Sequence, residues 1–538
     1  MDAYEKFYLE FGWSVPDYFN FGDVVDKLAA DPSRIALRWE DRDGNRARLT
    51  FADIRNQSNQ IANVFNGLGI KRGDPIMLAL PRLTLWQAAY VAALKIGALV
   101  IPCDSTLRPE DLIYRANHSE AVAIISAGAD AEMIVDLRSD CPSLKHYLIA
   151  GSARSGWTSL RDAMNQATMA FAPARTMSNE PAICYYTSGT SKDPKAVLHT
   201  HSYICAQRYI ASLWLDVKPD GTHWTTADTG WAKTAYGAIF GPWMNNASVF
   251  MYNGPPDSEK QLQLLQRYNI DTFCATPTEF RMMLKENLGK YPLPSLRHCT
   301  ASGEPLNAEV IEAWRERYNV TIHDAYAQTE AGVVAANLPM MTIKPGSIGR
   351  PFPGLDVRVV ADNLSECYVG MVGEIAIRIV PQRPPSLMLG YWKSPADNTA
   401  AFVRDFYLTG DYAYRDGEGY LWFVGRADDV INSAGHRIGP FEVESVLLEH
   451  PAVMESAVVG RSDPDRGTIV KAFVKCKPGV EPSFSLAHEL QQYVKSVAAP
   501  YKYPREIEFV DKLPKTVGGK IRRVELRRLE ERRKLGGA

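Results

Sequence analysis

The chain has 538 residues, of which 46% are hydrophobic, 23% charged and 10% aromatic, and 60 basic against 62 acidic side chains give a net charge of −2. At roughly 100–200 residues per domain, that length implies about three or four structural units. The composition is ordinary for a globular protein and excludes disorder, collagen and coiled coil, while the charge balance argues against a global polycation that binds nucleic acid.

Met1 to Trp13 mixes Asp2, Glu5 and Glu10 with aromatics, and has neither a basic and apolar signal pattern nor an Arg-rich transit pattern. The expected location is cytoplasmic, or the mitochondrial matrix if a transit peptide has been removed. Pro75–Leu80 predicts a strand, Leu85–Ile96 a helix and Ala98–Ile101 the next strand. Leu85–Pro102 is the most apolar stretch, but Lys95 and the helix–strand break make it a buried unit, and no membrane span is expected. Ala121–Ser126, Ala182–Tyr186 and Asp271–Ala275 predict further strands, each followed by helix-like sequence. This alternation predicts α/β layers around a largely parallel sheet.

From Ser347 to Ile379 the texture turns to Gly/Pro turns and β-rich runs, Val357–Val360 and Glu374–Ile379, predicting a β subdomain. A boundary near Gly425–Asp429 separates a body, 1–426, from a small α+β domain, 427–538. That domain should hold helices at Phe441–Glu449 and Leu486–Val497 and strands at Ser456–Gly460 and Lys471–Cys476. The Arg/Glu-rich tail Ile521–Lys534 predicts an exposed, solvated helix. Eight cysteines without a CxxC pair predict free thiols in a reducing compartment.

The sharpest local signal is Thr187-Ser188-Gly189-Thr190-Ser191-Lys192-Asp193-Pro194-Lys195, placed between two apolar runs. Hydroxyls and turn amides can donate to phosphate oxygens, and Lys195 adds a point charge. It is not the GxxxxGK[ST] loop of ordinary NTPases, and on composition alone a polar surface turn fits as well. Four further segments follow in order: Asp324-Ala325-Tyr326-Ala327-Gln328-Thr329-Glu330, Tyr407-Leu408-Thr409-Gly410-Asp411, Gly425-Arg426-Ala427-Asp428-Asp429 and Pro514-Lys515-Thr516-Val517-Gly518-Gly519-Lys520.

These five segments resemble the motifs of the adenylate-forming superfamily of acyl-CoA synthetases, luciferases and peptide-synthetase adenylation domains. Asp228-Thr229-Gly230-Trp231, Ile431–Pro440, Arg466-Gly467 and Ala499–Arg505 narrow the resemblance to the medium-chain acyl-CoA synthetase branch, over nearly the whole chain. The resemblance implies a body of layered α/β subdomains with a β subdomain, and a mobile α+β lid. It implies a two-step reaction: a carboxylate attacks the α-phosphate of MgATP, giving acyl-adenylate and pyrophosphate, and coenzyme A thiol then displaces AMP. The implied substrate is a medium-chain, branched or aromatic carboxylic acid. The cofactor is Mg²⁺, with ATP and coenzyme A as co-substrates, and the oligomeric state stays open between monomer and homodimer.

By the same resemblance, Thr187, Ser188, Gly189, Thr190, Ser191 and Lys195 would hold the β- and γ-phosphates. Asp324, Ala325, Tyr326, Ala327 and Gln328 would form the adenine and α-phosphate edge, with Thr329 bonding phosphate and Glu330 ligating Mg²⁺. Asp411 would accept the ribose hydroxyls, Arg426 would lie near ribose or phosphate, and Lys520 would bridge carboxylate and α-phosphate. Trp231, Gly303 and Glu304 would belong to the acyl side. Ala434, Gly435, His436, Arg437, Arg466, Lys495, Tyr503 and Arg505 would face coenzyme A, and Asp428 would be the hinge.

Several residues depart from the pattern. Lys192-Asp193 stands where a second Gly is usual, Ala327 where the Tyr–Gln pair is usually separated by Gly, Ala232 where Trp-Gly-Lys is common, and Gly518 where Ser or Thr is usual. No charged group of the implied chemistry is lost, so activity is expected. Ala327 would crowd adenine or merely stiffen its strand. The competing readings are an enzyme that loads a carrier-protein thiol, and a non-catalytic nucleotide or acyl sensor whose phosphate loop has drifted. His199-Thr200-His201 offers only two metal-type ligands, so structural histidines are expected. For Asp428-Asp429, a hinge beside a solvated carboxylate fits better than a metal pair. From Arg505 onward there are 11 basic and 6 acidic residues, so the near-neutral total hides a basic C-terminal end.

Overall fold

The computed structural model describes residues 1–127, 137–152, 154–187, 194–433, 436–463, 467–515 and 521–536. The body is built on two large sheets with helices against their faces. The eight-stranded sheet runs Gly390–Tyr391, Lys195–Thr200, Pro181–Thr187, Leu99–Pro102, Pro75–Ala79, Ala123–Ser126, His146–Ile149, Thr158–Ser159. Its strands are parallel from Pro181–Thr187 to Thr158–Ser159. The helix Trp86–Lys95 makes the crossover between two of them, and all ten of its residues are buried. A largely apolar surface suits a helix covered on every side. Its one charge, Lys95, is anchored 2.6 Å from Asp26 Oδ1 and also donates to Asn59. Burial pushes the Lys95 amine down, and Asp26 opposes the push.

One expectation changes here. The next described strand after Pro181–Thr187 is Lys195–Thr200, which pairs with it antiparallel with Thr187 opposite Lys195, where helix-like sequence was expected.

The nine-stranded sheet places Ile322–Gln328, His298–Ser302, Thr272–Ala275, Thr222–Thr225, Ser248–Asn253 and Ile35–Asp41 side by side and parallel. Its edges, Gly332–Ala336, Arg350–Pro351 and Arg46–Thr50, are antiparallel. A parallel sheet brings its carboxyl ends to one side, where open α/β sheets bind ligands. Ser302 and Gln328 end two of these strands, and Gly303-Glu304 and Thr329-Glu330 follow them directly.

The expected β subdomain is a five-stranded sheet in which Gly373–Arg378 pairs with Phe406–Arg415, which pairs in turn with Leu421–Arg426. The C-terminal part holds the sheet Val453–Asp463, Gly467–Cys476, Glu506–Phe509 and the helices Pro440–Glu449 and Phe484–Val497. The tail helix Arg523–Gly536 is not the solvated rod its charges suggest. Leu526 and Glu530 are buried, and Glu530 pairs with Lys471 at 2.9 Å, because the tail covers one face of this sheet. All eight cysteines are free, and no helix among the described residues is long and apolar enough to cross a membrane.

Candidate active site

Beyond the carboxyl end of Ile322–Gln328, three distant segments converge on Asp411. Tyr326 Oη donates to Asp411 Oδ2, and Gln328 Nε2 donates to the same oxygen at 2.7 Å and to the Thr409 carbonyl at 2.9 Å. Tyr407 Oη donates to Gln328 Oε1 at 3.1 Å, so the amide is held at both ends. The turn at Gly410 is fixed from below, its N–H donating to Glu374 Oε1 at 2.8 Å. Arg426 lies opposite Asp411 on the neighbouring strand, and its Nε pairs with Asp428 Oδ1 at 3.2 Å.

Glu330 accepts from Tyr391 Oη at 3.0 Å. Burial pushes its carboxyl up, the Asp411 charge adds to that, and the Lys195 charge opposes it. Lys195 Nζ lies 2.6 Å from Asp397 Oδ1 and 4.9 Å from the Tyr391 ring centre. Three sequence segments separated by up to about 200 residues thus bring a lysine and two carboxylates into one electrostatic neighbourhood. A half-buried carboxylate with a raised pKa near a second carboxylate is short of positive charge, and hard oxygen donors of this kind suit Mg²⁺. Glu330 fits such an ion as one ligand, with phosphate and water oxygens as the others. No cluster of three or more metal-type side chains exists among the described residues.

The other expected nucleotide residues have definite places. Asp324 is fully inside the fold, its Oδ1 accepting from the Ala325 N–H at 2.9 Å, and burial pushes its carboxyl well up. It braces the strand. Ala327 sits at a register shift between Ile322–Gln328 and Gly332–Ala336, without a positive φ, so the backbone there does not call for glycine. The Thr329 carbonyl accepts from His199 Nε2 at 2.7 Å, and the His199 ring stacks 3.7 Å from Tyr203. Burial pushes His199 down to about 3, so it is a neutral structural donor. Thr187 ends its strand. Ser188, Gly189, Thr190, Ser191, Lys192 and Asp193 lie outside the described residues, as do Ala434, Gly435, Arg466, Gly518 and Lys520.

On the acyl side, Trp231 is 38% exposed and its indole N–H donates to Asp104 Oδ2. Gly230 is required by a close approach, since a Cβ there would fall 2.2 Å from the Asp104 nitrogen. Gly303 adopts φ +102° at the strand end. Glu304 is held sideways, accepting from Thr278 Oγ1 at 2.7 Å and Arg281 at 3.2 Å. Its carboxylate anchors the helix Pro277–Met283.

On the small domain, Tyr503 collects two of the expected coenzyme A residues. Lys495 lies 4.1 Å over its ring, and Arg505 lies 4.9 Å away and donates to its hydroxyl at 2.8 Å. His436 stacks on Tyr501 at 4.1 Å. Arg437 points elsewhere: one guanidinium nitrogen, Nη2, donates to both carboxylate oxygens of Asp362 of the body at 2.9 and 3.0 Å, and the group covers Tyr412 at 4.9 Å. Asp429 is not a solvated carboxylate. Arg527 and Arg523 pair with it, which also removes the metal-pair reading. Tyr391, Asp397, Asp362 and Asp104 were not legible as site residues, because each lies at least 60 positions from its partner and carries no local motif.

A two-sheet body, a small α+β domain and a carboxylate–tyrosine–glutamine cluster at the strand ends define an adenylate-forming enzyme. The AMP-binding enzyme model matches residues 25–392, and the AMP-binding enzyme C-terminal domain model matches residues 442–520. The chain belongs to the AMP-binding enzyme family, and within it to the AMP-forming acid–coenzyme A ligases. It is 40% identical to human mitochondrial acyl-coenzyme A synthetase ACSM3 over 98% of this chain and 92% of the relative. With rat mitochondrial ACSM5 the identity is 41%, over 96% and 91%. Among solved structures it resembles the anthranilate CoA ligase AuaEII bound to anthranoyl-AMP (TM-score 0.87, 29% identity, 96% and 98% covered). It also resembles a benzoate CoA ligase from Burkholderia xenovorans LB400 (TM-score 0.83, 27% identity, 95% and 100% covered).

Proposed function

We propose that this chain activates a medium-chain, branched or aromatic carboxylic acid to its coenzyme A thioester through an acyl-adenylate, releasing AMP and pyrophosphate. The convergence of Tyr326, Gln328 and Glu330 with Asp411 and Lys195 carries the reading. Asp411, held by two donors, receives the ribose hydroxyls, and Tyr326 and Gln328 fix its orientation before nucleotide arrives. Lys195 exchanges Asp397 for β- or γ-phosphate oxygens. Glu330 would hold Mg²⁺, which when bound would supply charge neutralisation for the phosphates. Trp231 and the Gly303 turn border the acyl group.

The difficulty of the first step is the meeting of two anions, and a lysine placed at the reacting oxygens offsets that repulsion. We assign this to Lys520, carried by a small domain, 427–538, that turns about Asp428 against the body, 1–426. In the second step the same domain presents Lys495, Tyr503, Arg505 and His436 to the coenzyme A nucleotide, whose phosphates suit arginine and lysine. We place the enzyme in a cytoplasmic or mitochondrial matrix compartment; the relatives named above carry a mitochondrial designation.

The deciding experiment measures pyrophosphate, AMP and thioester with a panel of carboxylic acids, with and without free coenzyme A. Thioester formed only on a carrier protein would replace this reading, and absence of AMP with every acid would remove it. Lys520→Ala should lose about 10²–10³ in adenylation, the usual cost of removing one electrostatic stabiliser, and spare thioester formation from supplied acyl-adenylate. Equal loss in both half-reactions would remove Lys520 from the assigned role.

A further inference from the structure

Two opposite charges of the nucleotide site stand on different sheets. Glu330 follows the strand Ile322–Gln328 of the nine-stranded sheet, and Lys195 begins the strand Lys195–Thr200 of the eight-stranded one. One short segment, 388–398, holds both. At its start the Met388 N–H donates to the Glu330 carbonyl at 2.7 Å, and the Leu389 N–H donates to the Leu198 carbonyl at 2.7 Å. Gly390–Tyr391 then pairs antiparallel with Lys195–Thr200, which sets Tyr391 opposite Val197. Near its end Asp397 pairs with the Lys195 amine.

Tyr391, a buried residue, meets both charges through its side chain. Its hydroxyl donates to Glu330 Oε1 at 3.0 Å, and its ring centre lies 4.9 Å from Lys195 Nζ, within cation–π range. Its backbone is clamped. The Tyr391 N–H donates to Asn398 Oδ1 at 2.7 Å, and Asn398 Nδ2 donates back to the Tyr391 carbonyl at 2.8 Å. A Cβ at Gly390 would fall 2.6 Å from the same Asn398 oxygen, so a larger residue there would push the clamp open. The hydroxyl takes one of about four acceptor positions on the Glu330 carboxylate. It therefore orients the group and leaves it capacity for a cation.

We propose that Tyr391 is a positioning residue for the metal–nucleotide. Its hydroxyl orients Glu330 for Mg²⁺, its ring holds the Lys195 amine for the phosphates, and Asn398 locks the segment that spaces the two. Tyr391 acts through Glu330 and Lys195 and touches no reacting atom. Groups that orient a metal-binding side chain typically carry about 10-fold or more of the metal affinity. The assignment rests on the acid–coenzyme A ligase reading, and fails separately from it.

The test uses the full-length enzyme and its Tyr391→Phe and Tyr391→Leu variants. ATP binding is measured by calorimetry, first in EDTA and then across a Mg²⁺ titration, beside the Mg²⁺ dependence of AMP formation. Tyr391→Phe loses one oxygen and fills the same volume, so the fold is kept. It should bind ATP in EDTA as the wild type does, since the ring stays under Lys195. The Mg²⁺ concentration that half-saturates binding should rise about 10-fold, and kcat should recover at saturating Mg²⁺. Tyr391→Leu loses the ring as well, and should also weaken ATP binding in EDTA by roughly 2–5-fold. A Tyr391→Phe enzyme with an unshifted Mg²⁺ requirement, or with equal loss in EDTA and in Mg²⁺, overturns the proposal while the ligase reading stands. Tyr391→Leu matching Tyr391→Phe in EDTA overturns the role given to the ring. No AMP with any acid would remove the ligase reading, and this assignment with it.

Discussion

Asp411 shows how one side chain can be committed before its ligand arrives. Tyr326 and Gln328 both donate to Oδ2, so the carboxylate plane is set by residues from another strand, which lowers the ordering cost when a diol binds. Replacing Asp411 by Ala would remove the charged acceptor to which Tyr326 and Gln328 both donate. Hydrogen bonds to charged groups are worth about 1.5–3 kcal/mol, so KM for ATP should rise roughly 10–150-fold in steady-state assays. Tyr326→Phe removes only the positioning bond, and should raise KM for ATP no more than about 10-fold, with kcat little changed. An Asp411→Ala enzyme with unchanged KM for ATP would remove Asp411 from the ribose assignment.

At the scale of elements, periodicity located most of the fold, because buried helices and strands announce themselves by apolar runs. Leu85–Ile96 is the clearest case, seen as Trp86–Lys95. The antiparallel return after Thr187 escaped this logic, since a short apolar run such as Ala196–Leu198 has no period that tells its direction. The charges of the tail helix read as solvated in the sequence, but they are met inside the domain. Lys471, itself 2% exposed, gathers Glu506, Glu508 and Glu530 within 2.9 Å, and an exposed pattern in one element became a buried network between three. Tyr326, Gln328, Glu330 and Asp411 stand out in the sequence by their order and the fold brings them together, yet their neighbours Tyr391 and Asp397 do not stand out, because only the fold brings them near.

The first long strand illustrates the same principle with a measurable consequence. Glu40 on Ile35–Asp41 accepts from Lys260, Arg267 and Tyr268 at 2.8–2.9 Å, pinning the helix Ser258–Arg267 to the sheet. Burial alone would raise its carboxyl, but the hydrogen bonds from Lys260, Tyr268 and Arg267 outweigh it and hold the group at about 2 against an ordinary 4.5. A depressed folded value means the stabilisation is complete above about pH 4.5 and is lost as the pH falls towards 2. Its size is roughly 3 kcal/mol. Glu40→Gln should lower the thermal midpoint at pH 7 and flatten the acid limb of the midpoint-against-pH curve below pH 4.5. Parallel acid limbs in variant and wild type would contradict this account.

For the whole molecule, the basic C-terminal end is not a free positive surface. Arg523 pairs with Glu444 at 2.5 Å and Arg533 with Glu508 at 2.6 Å, so much of that charge binds the small domain to itself. The notable ion pair between the small domain and the body is Arg437 with Asp362, reinforced by the Tyr412 ring. Arg437 is also assigned to the coenzyme A face, and one guanidinium cannot serve both partners. Asp362 therefore favours the orientation in which Arg437 is withheld from coenzyme A. The aspartate side chain is 77% exposed, and an exposed pair is worth about 1 kcal/mol at most, a factor of about 5. Asp362→Asn should lower KM for coenzyme A in thioester formation from supplied acyl-adenylate by up to about 5-fold, and leave adenylation equal or slower. Raising the ionic strength weakens the phosphate contacts of coenzyme A in both proteins, but should bring the KM values of variant and wild type together, since screening acts on the pair the variant lacks. Identical salt responses in both proteins would show that the pair does not bias the domain orientation.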